Sequence, residues 1–159
     1  MPGKSHARRR QAQIVEAEPF SVCCPSDRSV RSGWIFALRS QGSPYPADGE
    51  RSGKWLIFAS QQAVDELWAK IRRAVGEGEL GNLAKVAPAC QARKDPRSGE
   101  AKQVICVCTH DWTDQVDVMR IRQGLRELGV TWRIGYKADA DTAMGRYAQE
   151  GHRVCRFWA

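Results

Sequence analysis

The amino-acid sequence predicts an α+β domain in which an antiparallel sheet carries helices on one face. Three observations point to it. Residues 33–38 and 54–59 are apolar, β-prone runs on either side of a loop rich in Gly, Pro and Ser. Two later segments repeat apolar side chains at helical spacing. Further short strand-like runs fall between and after them, in the order β-β-α-β-β-α-β-α-β, and the hairpin-like start makes the sheet antiparallel.

Each element has a local cause. The run at residues 33–38 reads as a buried strand, and the run at residues 54–59 as its return. Ser60 is an expected N-cap for the first helix. Val64, Leu67, Trp68, Ile71 and Val75 make that helix's apolar face, and Gly76 is its expected left-handed stop. Glu66 and Lys70 form a favourable i,i+4 pair on its wet side. Residues 83–87 read as a strand closed by Pro88, and residues 91–102 as a charged turn. Residues 104–108 have strong β propensity. Thr113 is the expected cap of a second helix with face Val118, Ile121, Leu125 and Leu128, ended by Gly129. Residues 131–136 alternate, with Trp132, Ile134 and Tyr136 on one side. Asp139 or Asp141 opens a short third helix running to Tyr147, and residues 154–158 read as a last strand.

Residues 1–17 are polar and expected to be a disordered basic arm, leaving residues 18–159 as one domain. No apolar run spans a membrane and the N-terminus has no apolar h-region, so a transmembrane helix and a Sec signal are not expected. The Cys pattern lacks CxxC and reads as reduced, in a cytoplasmic protein. Net charge is +7, from 25 Lys and Arg against 18 Asp and Glu. Lys4, Arg8, Arg9 and Arg10 supply part of it, and the last forty residues hold eight basic against four acidic groups. Such a surplus suits an anionic partner: a nucleotide, RNA or a phosphopeptide.

Lys54 and Lys85 interrupt otherwise apolar strands, so each must snorkel to water, find a carboxylate such as Asp117 or Asp141, or face a ligand. With Arg93, Lys94, Arg120, Arg133 and Lys137 they form the candidate phosphate-binding set, because ammonium and guanidinium groups make charge-assisted hydrogen bonds to phosphate. Of the aromatics, Trp68, Trp55 and Trp132 are expected in the core. Trp34, Tyr45 and Trp112 are the candidates for stacking on a base. Cys106, Cys108 and His110 share one strand face by period two and are weak candidates for a metal, against the plainer reading of Cys as a small buried residue. No cofactor is expected, and the glycines form neither a P-loop nor GxGxxG.

Gly53-Lys54-Trp55, Ala84-Lys85-Val86-Ala87, Asp111-Trp112-Thr113-Asp114, Asp117-Val118-Met119-Arg120 and Tyr136-Lys137-Ala138-Asp139-Ala140-Asp141-Thr142 resemble the small basophilic-leukaemia-expressed (Bles) family. Residues 53–58 and 128–143 also resemble the translation initiation factor 4E fold. The resemblance covers about residues 30–150 and implies a curved antiparallel sheet backed by helices on one face, with a concave face free for ligand. The initiation factors hold a methylated guanine between two loop tryptophans and read it with a Glu. Here Pro44-Tyr45-Pro46 stands in that loop without a Trp-Glu pair, and Cys108 takes the place of a further strand-end tryptophan. Their phosphate contacts fall on the stretch holding Arg93, Lys94 and Lys102.

Three functions follow as expectations. The first is a binding module for a phosphorylated ligand, a nucleotide or RNA end, on the concave face. The second is a phosphate-eliminating lyase, an activity the resemblance suggests, with Lys85 or Lys137 as base and His110 or His152 as acid. The third is an adaptor that docks a protein through Arg120, Arg122 and Arg126.

Overall fold

The structure, a computed structural model, describes residues 24–31, 33–46, 49–144 and 155–159. The expected basic arm, His152 and the proposed extension of the third helix to Tyr147 lie outside the described residues. Strands β1 (Ile35–Leu38), β2 (Gly53–Ser60), β3 (Leu83–Val86), β4 (Arg93–Lys94), β5 (Ala101–Thr109), β6 (Gly135–Ala138) and β7 (Phe157–Trp158) interleave with helices α1 (Val64–Gly76), α2 (Gln115–Glu127) and α3 (Asp139–Ala143). The sheet is open, curved and antiparallel, in the order β1-β3-β5-β2-β6-β7, with β4 paired to β5. The fold class is α+β.

Alternation decides the two faces. Along β2, Trp55, Ile57 and Ala59 point into the core, as do Ile105 and Val107 of β5 and Ala84 and Val86 of β3. They meet Val64, Leu67, Trp68, Ile71 and Val75 of α1 and Val118, Ile121 and Leu125 of α2. Trp55 is fully buried with its Nε1 donating to the Val118 carbonyl at 3.1 Å, so the indole keeps a polar partner. Helices α1 and α2 thus occupy one face, and the other stays open, with the short α3 at its margin.

Several local expectations need correction. Strands β1 and β2 are not neighbours: β1 pairs with β3 at the sheet edge, and β2 lies between β5 and β6. Ser60 ends β2 instead of capping α1, whose N-cap is Ala63. Asp114, not Thr113, caps α2, its side chain accepting from Asp117 N. Gly76 is helical, and the left-handed residue is Gly78 at φ 79°. Gly129 does take the left-handed conformation, at φ 102°. Trp132 is 47% exposed, because β6 begins only at Gly135 and the preceding residues form a turn. The charged turn contains β4, a two-residue strand. The Glu66–Lys70 pair forms at 2.7 Å.

The segment before β1 is tied to the sheet by Gln103. This buried amide donates to the carbonyls of Pro25 at 2.7 Å and Ala87 at 2.9 Å. Ser26 N adds a bond to Asp65 of α1 at 2.9 Å.

Candidate functional site

The open face carries the residues that alternate with the core. Lys54, Leu56 and Phe58 of β2 lie beside Lys102, Val104 and Cys106 of β5, Lys85 of β3 and Lys137 of β6. Register sets these neighbours: Lys54 is opposite both Cys108 and Lys137, and Lys85 is opposite Cys106. With Trp34 before β1, residues 90–93 and Thr142 of α3 they line a cleft of about 750 Å³. Lys54, Lys85, Arg93, Lys102 and Lys137 line it, and no Asp or Glu among the described residues does.

The cations differ in how far they are neutralised. Lys54 is ion-paired with Asp139, whose other oxygen accepts from Ser52 Oγ at 2.8 Å. Burial works to raise the Asp139 carboxyl, but the hydrogen bonds from Lys54 and Ser52 outweigh it and hold the pKa below the ordinary carboxylate value. Lys102 pairs with Asp95 at 2.7 Å. The Lys85 ammonium lies 4.4 Å from the centre of the Trp34 ring, a cation–π contact, and no carboxylate of the described residues pairs with it. Arg93 is exposed, directly across from Lys102. Lys137 is 6% exposed and lines the cleft from β6.

The remaining predicted phosphate contacts are elsewhere. Lys94 and Arg133 are exposed and do not line this cleft. Arg120 sits on α2, paired with Asp117 and donating to the Glu79 carbonyl at 2.9 Å. The docking face of Arg120, Arg122 and Arg126 does not form as expected. Arg122 is fully buried and donates to the carbonyls of Val130 and Trp132 at 2.8 Å and of Ala159 at 3.2 Å. Its helical position faces the core side, next to Ile121 and one turn from Leu125.

A smaller cleft of about 300 Å³ adjoins the first, lined by Tyr45, Ser52, Asn82, Cys108, His110 and Asp139 among others. Tyr45 and His110 stack at 5.3 Å with planes 14° apart. The Tyr45 hydroxyl donates to Asp117 at 3.2 Å and accepts from Arg120 at 3.0 Å. His110 therefore faces a different cleft from Lys85 and Lys137, the bases that the lyase reading requires. Trp112 is covered by the Arg156 guanidinium, 3.8 Å from the ring centre, and this cation also pairs with Asp141 at 3.0 Å. Trp112 is thus engaged internally, whereas Trp34 lines the open cleft.

Burial pushes the Cys106 thiol up, against the opposing effect of Lys54 and Lys85, and pushes Cys108 up to about 11. Both thiols are protonated near neutrality, unlike metal-bound thiolates. Among the described residues no three His, Cys, Asp or Glu side chains gather as metal ligands, so Cys106, Cys108 and His110 do not form the weakly expected centre. Nor is any helix among them long and apolar enough to cross a membrane.

Sequence reasoning missed two features. Asp139 does open α3, as expected, but it also partners Lys54, since β2 and β6 bring Gly53 opposite Ala138. It also missed the aromatics on the open face: Phe36, Phe58 and Trp158 are half exposed. Alternation from Lys54 would have placed Phe58. Trp158 needed the β6–β7 register, which sets it opposite Gly135.

Among solved structures the chain is similar to a schistosome eIF4E crystallised with m7GpppA and 4E-BP, at 17% identity and a TM-score of 0.50, over 69% of this chain and 60% of that one. It is also similar to C. elegans eIF4E-3 in a complex with the 4E-binding protein Mextli and a cap analog, at 18% identity and a TM-score of 0.52, over 79% of this chain and 68% of that one. The chain thus spans about 60% of the schistosome protein's length. These likenesses show a shared fold. The sequence itself is matched from residue 47 to residue 145, more than half its length and most of the sheet just described, by the model of the basophilic leukemia-expressed protein Bles03, and the chain belongs to that family.

Proposed function

We propose that the open sheet face binds the phosphate groups of a nucleotide or RNA end. One observation carries this reading: a cleft of about 750 Å³ lined by five cationic side chains and, among the described residues, by no carboxylate. A concave wall of one charge sign focuses its field and draws in anions. Lys85 and Arg93 are the main phosphate ligands, since neither has a carboxylate partner among the described residues. Lys54 can exchange Asp139 for a stronger anion. Trp34, in the lining of the cleft, offers a ring for a base. The schistosome and C. elegans structures of like fold were obtained with cap nucleotides, which adds support at the level of fold analogy.

The test is a titration of mono-, di- and triphosphate nucleotides followed by tryptophan fluorescence at two salt concentrations. Quenching that saturates and weakens with salt is expected. Lys85→Gln combined with Arg93→Gln should weaken binding by at least about tenfold, as expected for lost hydrogen bonds to a charged group. No quenching by any nucleotide, or quenching indifferent to salt, would remove the reading.

A further inference from the structure

The open face extends beyond the cleft, and what lies there is aromatic. Phe36 on β1 is 54% exposed, Phe58 on β2 53% and Trp158 on β7 50%. All three point away from the helices. Phe36 follows Ile35, which packs on the core, and is opposite Lys85. Phe58 shares the face of Lys54 by alternation. Trp158 is opposite Gly135, which is itself opposite Leu56 of the open face. The ring lies over that glycine, where a Cβ would meet it at 3.0 Å. A water-soluble sheet does not gain by exposing three large rings, since each loses the transfer energy that burial would give.

The rings are spaced among cations. Trp34 and Phe58 are separated by β3 and β5, which is about 14 Å at ordinary strand spacing. Trp158 lies two strands beyond Phe58, about 10 Å further. Lys85, on β3, is level with Leu56, one pair along from the line joining Trp34 and Phe58, and Lys54 and Lys137 face each other one pair further along, beside the line from Phe58 to Trp158. No single nucleotide covers that span. A polymer with a flat π-face and one anionic group in each repeat matches it.

Resting on the phosphate-binding reading above, we propose that the sheet binds an extended single-stranded nucleic acid several nucleotides long. Its bases stack on Trp34 or Phe36, on Phe58 and on Trp158, and its phosphates run along the lysines that flank the line of rings. Charge complementarity selects this occupant over a protein strand, because the described cleft lining holds five cations and no carboxylate, and Lys85 and Arg93 have no carboxylate partner among the described residues.

Binding is measured by fluorescence anisotropy with labelled oligouridylates of about two, four and eight nucleotides, matched oligothymidylates, and uridine diphosphate as competitor. Affinity should rise steeply with length and then level off once the rings are covered. Phe36→Ala and Trp158→Ala should each weaken octamer binding by about fivefold or more, while Val116→Ala, on exposed α2, should not. Far-UV circular dichroism confirms that each variant is folded, and either of the two aromatic variants suffices if the other is not. Binding by either sugar supports the inference, and the tighter of the two names the source. Nucleotide binding with no gain from length, or octamer affinity unchanged in both aromatic variants, would overturn it and leave the phosphate site standing. Displacement by polyglutamate as effective as by octauridylate would also overturn it, since charge alone would then explain the binding. If neither nucleotide nor oligomer binds, both readings fall.

Discussion

Lys54 and Lys85 occupy equivalent positions in neighbouring ladders, yet their partners give them different roles. Lys54 is held by Asp139 and Ser52 shares that carboxylate, so this cation is partly neutralised. Lys85 faces only the Trp34 ring among its recorded partners. The Asp139 pKa is lowered in the folded state, so its contribution to stability is present above the unfolded value and is lost as pH falls through the folded one. Asp139→Asn should therefore be less stable than the parent at pH 7, and the gap should close below about pH 4. Urea melts across pH check this. A gap that persists in acid would mean that packing, not ionisation, is lost. A second residue-scale prediction concerns Cys108. With its thiol near 11, it should alkylate at pH 8 far more slowly than exposed Cys24 and Cys90, which mass spectrometry can follow residue by residue. A third concerns Arg122, whose removal takes the donor from the carbonyls of Val130 and Trp132, while Ala159 O keeps its bond from Ile134 N. Arg122→Leu should cost about 2–4 kcal/mol in denaturant unfolding. The sequence showed that Lys54 and Lys85 needed explaining. It did not reveal that Arg122 is interior, because an arginine beside a helix's apolar stripe looks like a solvated one.

At the scale of elements, the run of strands and helices is legible because each carries its own period. The faces of α1 and α2 follow from spacing alone, and β2 and β5 from their β-branched and aromatic content. The pairing is not legible in the same way. Adjacent strands in sequence usually pair, yet β2 is placed between β5 and β6, and β1 goes to the edge beside β3. Nothing local marks this, since pairing partners are chosen by how α1 crosses back under the sheet. The caps also moved by one to three residues: Asp114 outcompetes neighbouring Thr113 for the free N–H groups of α2, and α1 starts after Ala63 without a side-chain cap because Ser60 is still in β2. The attachment of β7 gives an element-scale prediction. At Gly135 a Cβ would lie 2.6 Å from Cys155 Sγ and 3.0 Å from the Trp158 ring. Gly135→Ala should lift β7 from β6, lowering stability by about 1–3 kcal/mol and raising hydrogen exchange at Ala159 N, which bonds to Ile134 O at 3.1 Å. Unchanged exchange there would mean the strand adapts without leaving.

For the whole molecule, one arrangement unites the observations. Helices α1 and α2 cover one face of a curved sheet, so the other collects the side chains that a core cannot hold: lysines, half-exposed rings and a cleft whose described lining has no carboxylate. The net charge of +7 showed that an anion was a plausible partner but not where it would sit. Only the register gathers residues 54, 85 and 137, far apart in the chain, onto one surface. The most direct test is the slope of log binding constant against log salt for a nucleotide triphosphate, comparing the parent protein with Lys85→Gln. The cleft predicts a negative slope that becomes shallower in the variant, because a cation that displaced counterions from phosphate is gone. Identical slopes for the two proteins, or binding that ignores salt altogether, would contradict it.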